Sequence, residues 1–137
     1  MQTVSFRLKP GQDLKVALDR LAVRRKLEAA CVVTCVGSLT PAAIRFANQP
    51  APTVLDGQWE IVSLVGTLSI YGSHCHIAVS DGDGRTLGGH LMEGSRIYTT
   101  AEIVLGIVPG VRFLRELDPD TGYRELAIEP LSGPSAA

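Results

Sequence analysis

Histidine is nearly absent from this chain, with three copies in 137 residues, at positions 74, 76 and 90. Net charge is also almost missing, at -1, so no overall cationic field exists to gather nucleic acid or an anionic membrane, and any DNA contact must come from a local patch. Cysteine is scarce and odd in number: Cys31, Cys35 and Cys75, with no Cys-x-x-Cys pair. On one strand Cys31 and Cys35 would stand roughly 13 Å apart, too far to bridge, which predicts buried thiols in a reducing cytoplasm. No apolar window reaches membrane-spanning length, and Met1 to Lys9 lacks the charged start and apolar run of a secretory leader. A cytoplasmic protein without membrane contact is expected. Internal repeats and low-complexity segments are absent too. What remains is an ordinary apolar fraction of 45%. That supports one domain over residues 1–130, with 131–137 as a flexible C-terminal tail.

All three histidines fall in one stretch, Ser73 to Leu91. On a strand of period two, His74 and His76 project from one face and Cys75 from the other, toward the core. Asp81-Gly82-Asp83-Gly84 then supplies the residues of a tight hairpin between two apolar-alternating runs. In an antiparallel ladder opposed residue numbers have a constant sum, and only an even sum brings His90 to the His74/His76 face. A three-residue loop closed by Ser80 and Gly84 sets His74 opposite His90. A five-residue loop that spans Asp81 to Arg85 sets His76 opposite His90. Either register gathers three imidazoles, the donor set of an open zinc-type site. An even loop, or an uneven number of bulges after Gly88-Gly89, would turn His90 away.

Elsewhere the chain reads mostly as strands. Thr3 to Leu8 alternates, and Lys9-Pro10-Gly11 ends it. Leu14, Ala17, Leu18, Leu21 and Ala22 then mark one face of the single strong helix, with Asp13 as its cap. Cys31 to Leu39 is β-branched, and Ala42 to Ala47 is its expected hairpin partner. Asn48 to Asp56, with Pro50 and Pro52, is a loop, followed by a long strand from Gln58 to Leu68. Strict alternation there puts Glu60, Val62, Leu64 and Gly66 on one face. Ile97 to Val108, Val111 to Leu117 and Tyr123 to Ile128 complete an α+β fold, a mainly antiparallel sheet sandwich with one principal helix.

Other motifs fail on spacing. Gly82-Asp83-Gly84 with Gly88-Gly89 opens a strand instead of a helix, so no helix N-terminus faces a phosphate. The calcium-loop glycine is misplaced, and Ser73, His74 and Asp81 lack a nucleophile elbow. Glu60 and Glu102 are the candidate catalytic acid or base groups. Their plain structural role is an ion pair with Arg45, Arg96 or Arg112, and Arg45 is the partner expected if Glu60 is buried. Arg24, Arg25 and Lys26, with Arg45, are the basic residues available to DNA, although three such residues at a helix end also complement its dipole.

Taken together, Gly57 to Leu68, Gly72-Ser73-His74-Cys75-His76, Gly88-Gly89-His90-Leu91, Thr99-Thr100-Ala101-Glu102, Arg115-Glu116-Leu117-Asp118 and Thr121-Gly122-Tyr123 resemble the plant and prokaryote conserved (PPC) domain. The resemblance runs from about Phe6 to Ile128. It implies a single α/β domain with a mainly antiparallel sheet, a homotrimer, and DNA binding, which is a property of plant members that carry AT-hooks. This sequence shows no Arg-Gly-Arg-Pro hook. Its histidines instead resemble the metal-binding set of bacterial and archaeal members and, more distantly, the zinc ligands of acetolactate decarboxylase. Carried over by position, His74, His76 and His90 become ligands of a divalent metal, with zinc the best match. Two functions are therefore expected to compete: a DNA-binding domain, or a metal-dependent enzyme or sensor of a small molecule.

Overall fold

A computed structural model describes residues 2–132; the tail expected at 131–137 lies outside them from residue 133 onward. Ten strands and one helix follow in the order β1 (Gln2–Leu8), α1 (Leu14–Arg24), β2 (Ala30–Leu39), β3 (Ala42–Arg45), β4 (Thr53–Leu55), β5 (Trp59–Ser69), β6 (Gly72–Ser80), β7 (Thr86–Leu91), β8 (Ile97–Ile107), β9 (Val111–Leu117) and β10 (Arg124–Pro130). Eight strands form one sheet, ordered β1-β8-β2-β5-β6-β7-β3-β4, and β9 and β10 form a separate hairpin. Every pairing is antiparallel.

The helix starts where Asp13 stops it from fraying. One carboxylate oxygen accepts from the Val16 N–H at 3.1 Å, as an N-cap should. The other accepts from the Gly94 N–H at 2.7 Å and ties the helix start to the β7–β8 turn. At the far end Lys26 adopts a left-handed φ of 53° while the Leu27 N–H reaches back to the Ala22 carbonyl at 2.9 Å. Leu14, Leu18, Leu21 and Ala22 lie on one stripe and are buried with Leu64, Leu68, Cys75 and Ile77 of β5 and β6. One sheet face is thus sealed by the helix. Removal of a completely buried leucine such as Leu18 costs about 2–5 kcal/mol in such a core.

The second face carries the β9–β10 hairpin near the β5–β6 turn. The Phe113 N–H donates to the Glu28 carbonyl at 2.9 Å, and the Ser69 hydroxyl donates to the Phe113 carbonyl at 2.7 Å. Arg112 and Glu28 pair at 2.9 Å.

Three expectations change. β3 does not pair with β2, whose two edges are already taken by β5 and β8; it pairs with β7 and β4. The segment expected as a loop contains β4, which closes that edge of the sheet. A bulge at Val62 shifts the phase of β5, so Ile61, Leu64 and Leu68 all face the core, while Glu60, Val62 and Val65 are exposed.

Candidate metal centre

β6 alternates as its sequence predicts. Cys75 and Ile77 point into the core, and His74 and His76 point from the opposite face. Burial raises the Cys75 thiol to about 11, as it does Cys35, so both are inert packing groups instead of metal ligands. All three cysteines are free.

The register of the next strand is set by the turn at 81–85. The Asp81 carboxylate accepts from the backbone N–H groups of Asp83 and Arg85, both at 2.9 Å, and the Asp81 N–H donates to the Arg85 carbonyl. Gly84 takes the positive φ of 79° that this five-residue turn needs. Ser80 therefore opposes Thr86, and His76 opposes His90. The ladder runs unbroken through Gly88 and Gly89, so parity survives. Gly89 also lets β3 approach: a Cβ there would lie 2.6 Å from the Arg45 carbonyl oxygen and 3.0 Å from an Ile44 methyl.

The three rings converge. His74 and His90 stack at 5.1 Å, and His76 meets them edge-on at 5.0 and 4.5 Å. One nitrogen from each ring lies within 4.8 Å of the others. A zinc–imidazole bond is about 2.0–2.1 Å, so one ion reaches all three after shifts of under about 1 Å. The donor set also fits a metal on a second ground, because His74 Nε2 is buried with no hydrogen-bond partner. An orphaned polar nitrogen costs roughly 1–3 kcal/mol, which a bound ion would relieve. Burial, and then the nearby Arg115 guanidinium, hold His74 below its usual range; burial, and then Arg45, do the same to His90. Both are kept in the neutral form that ligates metals.

A cavity of 460 Å³ opens beside the rings, walled by His74, His90, Arg45, Arg115, Tyr123 and Glu125 among others. An adjoining recess adds His76 and Leu126. The β9–β10 hairpin supplies Arg115, Tyr123 and Glu125, which the spacing of the sequence did not single out. Arg115 and Tyr123 had a signal only as members of their motifs, and Glu125 had none. A larger cavity, of 550 Å³, lies elsewhere, between β1 and the residues after α1, and includes none of the histidines.

The other predicted site residues are scattered. Glu60 is exposed opposite Ser80, about 13 Å along β6 from His76. Glu102 sits on β8, three strand spacings or about 14 Å from β6. Glu60 does not pair with Arg45, and neither carboxylate forms a salt bridge among the described residues. Arg45 opposes His90 and joins the triad, whereas Arg24, Arg25 and Lys26 end the helix on the opposite side of the sheet.

Comparison with known proteins follows the same line. Residues 1–109 match the family described as the Plants and Prokaryotes Conserved (PCC) domain. The bifunctional protein GlmU of a Synechococcus strain is 50% identical over 128 residues, which is 93% of this chain but 20% of that protein; the chain spans about a fifth of the curated relatives it matches. A hypothetical protein of Salmonella enterica is 42% identical with a TM-score of 0.92, covering 95% of this chain and 94% of its own. A plant- and prokaryote-conserved protein of Pyrococcus horikoshii is 26% identical with a TM-score of 0.77, covering 93% and 92%. A metal-containing protein of Archaeoglobus fulgidus, 24% identical, and a candidate DNA-binding protein of Bacteroides thetaiotaomicron, 21% identical, share the fold, with TM-scores of 0.79 and 0.80. With its family match, its single helix and its antiparallel sheet, the chain belongs to the Plants and Prokaryotes Conserved domain family.

Proposed function

We propose that this domain is a metal-dependent small-molecule protein, an enzyme or ligand sensor, in which His74, His76 and His90 hold one divalent cation. The observation that carries the reading is the convergence of three imidazoles, one with a buried unpartnered nitrogen, on the wall of a cavity and its adjoining recess. The metal-containing Archaeoglobus neighbour supports it. Zinc is the best match, since three imidazoles with an open position suit it. Such an ion supplies Lewis acidity toward a bound oxygen. The chain's own groups do the rest: His74 and His90 stay deprotonated, Arg45 and Arg115 bring positive charge, and Glu125 is the carboxylate at the cavity able to hold a proton. Glu60 and Glu102 would act only if a second chain brought them to the rings. No helix among the described residues is long and apolar enough to cross a membrane. The three free thiols suit a reducing cytoplasm.

Elemental analysis of the purified protein and of the H74A/H76A/H90A variant tests this reading. About one ion per chain is expected in the first and none in the second. Equal metal content in both would sink it.

A second reading, DNA contact, draws on neighbours described as candidate DNA-binding proteins. Arg24, Arg25 and Lys26 are exposed and would be its surface, giving weak binding that falls steeply with salt.

A further inference from the structure

Arg45, Arg115 and Arg124 line the same cavity, and the metal reading leaves their guanidiniums without a task; Arg45 and Arg115 are the two that act on the imidazoles. Arg45 faces His90 across the β3–β7 ladder, and its Nη1 donates to the Gln49 carbonyl at 3.2 Å, which steadies it at the rim. Arg115 arrives from β9, and its Nη2 donates to the Arg124 carbonyl at 2.6 Å. Each spends one of five N–H donors on backbone, and neither has a carboxylate partner among the described residues. Glu125, the one carboxylate on the cavity wall among the described residues, is exposed and pairs with neither. Three guanidiniums against one carboxylate beside a cation site leave a positive recess on a chain whose net charge is -1. Such a recess attracts an anion.

The shape of the recess decides which kind. A DNA backbone is an extended rod of phosphates, matched by basic groups in a row on an open surface. Here the guanidiniums flank a concavity of 460 Å³, within the size range of small-ligand sites. A guanidinium fork matches a carboxylate two oxygens at a time. Resting on the metal reading, we propose that the cavity binds a small carboxylate, which Arg45 and Arg115 grip by its charged end while a ligand oxygen takes the metal's open position. Asn48 and Tyr123, also on the wall, add polar groups for the remainder of the ligand.

Calorimetric titration of the zinc-loaded protein with oxalate tests the assignment, with zinc content measured on every sample. Oxalate is expected to bind the wild type, and at least about tenfold more weakly the R45Q/R115Q variant at unchanged zinc content. The single variant R115K keeps the charge but loses the fork; it should also bind oxalate more weakly, and it provides a folded comparison if the double variant is unstable. Unchanged oxalate affinity in these variants, with zinc retained, would overturn the carboxylate assignment and leave the metal reading standing. Failure of the wild type to hold zinc would overturn the metal reading itself. A short DNA duplex that displaces oxalate with the same arginine dependence would transfer the site to a phosphate backbone and overturn the small-ligand assignment.

Discussion

His74 is the residue on which most of the chemistry turns. Its side chain is half-buried, its Nε2 has no partner, and Arg115 lies close enough to oppose its protonation. His90 is held down in the same way by burial and Arg45. In the unfolded chain both groups would titrate near 6.5. Above that pH both states are neutral, and the lowered values cost nothing. As pH falls through 6.5 the unfolded state takes up protons first, so stability is lost progressively down to the folded values. Metal-free protein should therefore lose more of its urea midpoint between pH 7.5 and 5.5 than the H74A/H90A variant does. Parallel losses in the two would mean that these imidazoles are not the linked groups. Metal uptake should weaken over the same pH window, because protons and the ion compete for the same lone pairs.

At the scale of the element, the β6–β7 hairpin is an alignment device. Asp81 folds the turn with its own carboxylate, Gly84 accepts the left-handed backbone, and the five-residue loop sends His90 to the face of His76. Gly89 then lets β3 close on β7 and delivers Arg45 beside the rings. A methyl group at 89 would collide with the backbone of Arg45, which cannot step aside without displacing β3. Gly89→Ala is thus expected to keep the helical circular dichroism signal of α1 while lowering zinc affinity about 10-fold or more, as misplaced supporting groups do. Zinc titration against a chromophoric competitor would measure it, and wild-type affinity would show that the close approach is dispensable.

Across the whole molecule the two sheet faces have different fates. The helix seals one, but the other leaves Val36 and Val62 61% and 59% exposed on neighbouring strands, with Val65 opposite His76. Exposed β-branched residues in a row favour association, in keeping with the homotrimer that the family resemblance implies. Light scattering of the wild type should give a mass of about three chains, and V36D/V62D should shift it toward one, since charge opposes burial of that face. A monomeric wild type would remove self-association from the account. It would also confine Glu60, exposed on this face, to a role outside the metal site.

Local pattern was enough for much of this protein. Alternation placed His74 and His76 together and Cys75 behind them, the apolar stripe with Asp13 fixed the helix, and the Asp-Gly turn limited His90 to two productive registers. These rest on interactions between residues near in sequence, where backbone periodicity carries the information. The bulge at Val62, the pairing of β3 with β7, and the approach of Arg115 and Glu125 to the rings all depended on contacts between distant segments, whereas the hydrogen bonds of the Asp81 turn settled the choice between those registers locally. A strand's partner is decided by which edges remain free once the sheet has assembled, and no residue encodes that on its own. The triad could be read along the chain, whereas the charged cavity around it exists only because β3 and the β9–β10 hairpin close on it from either side.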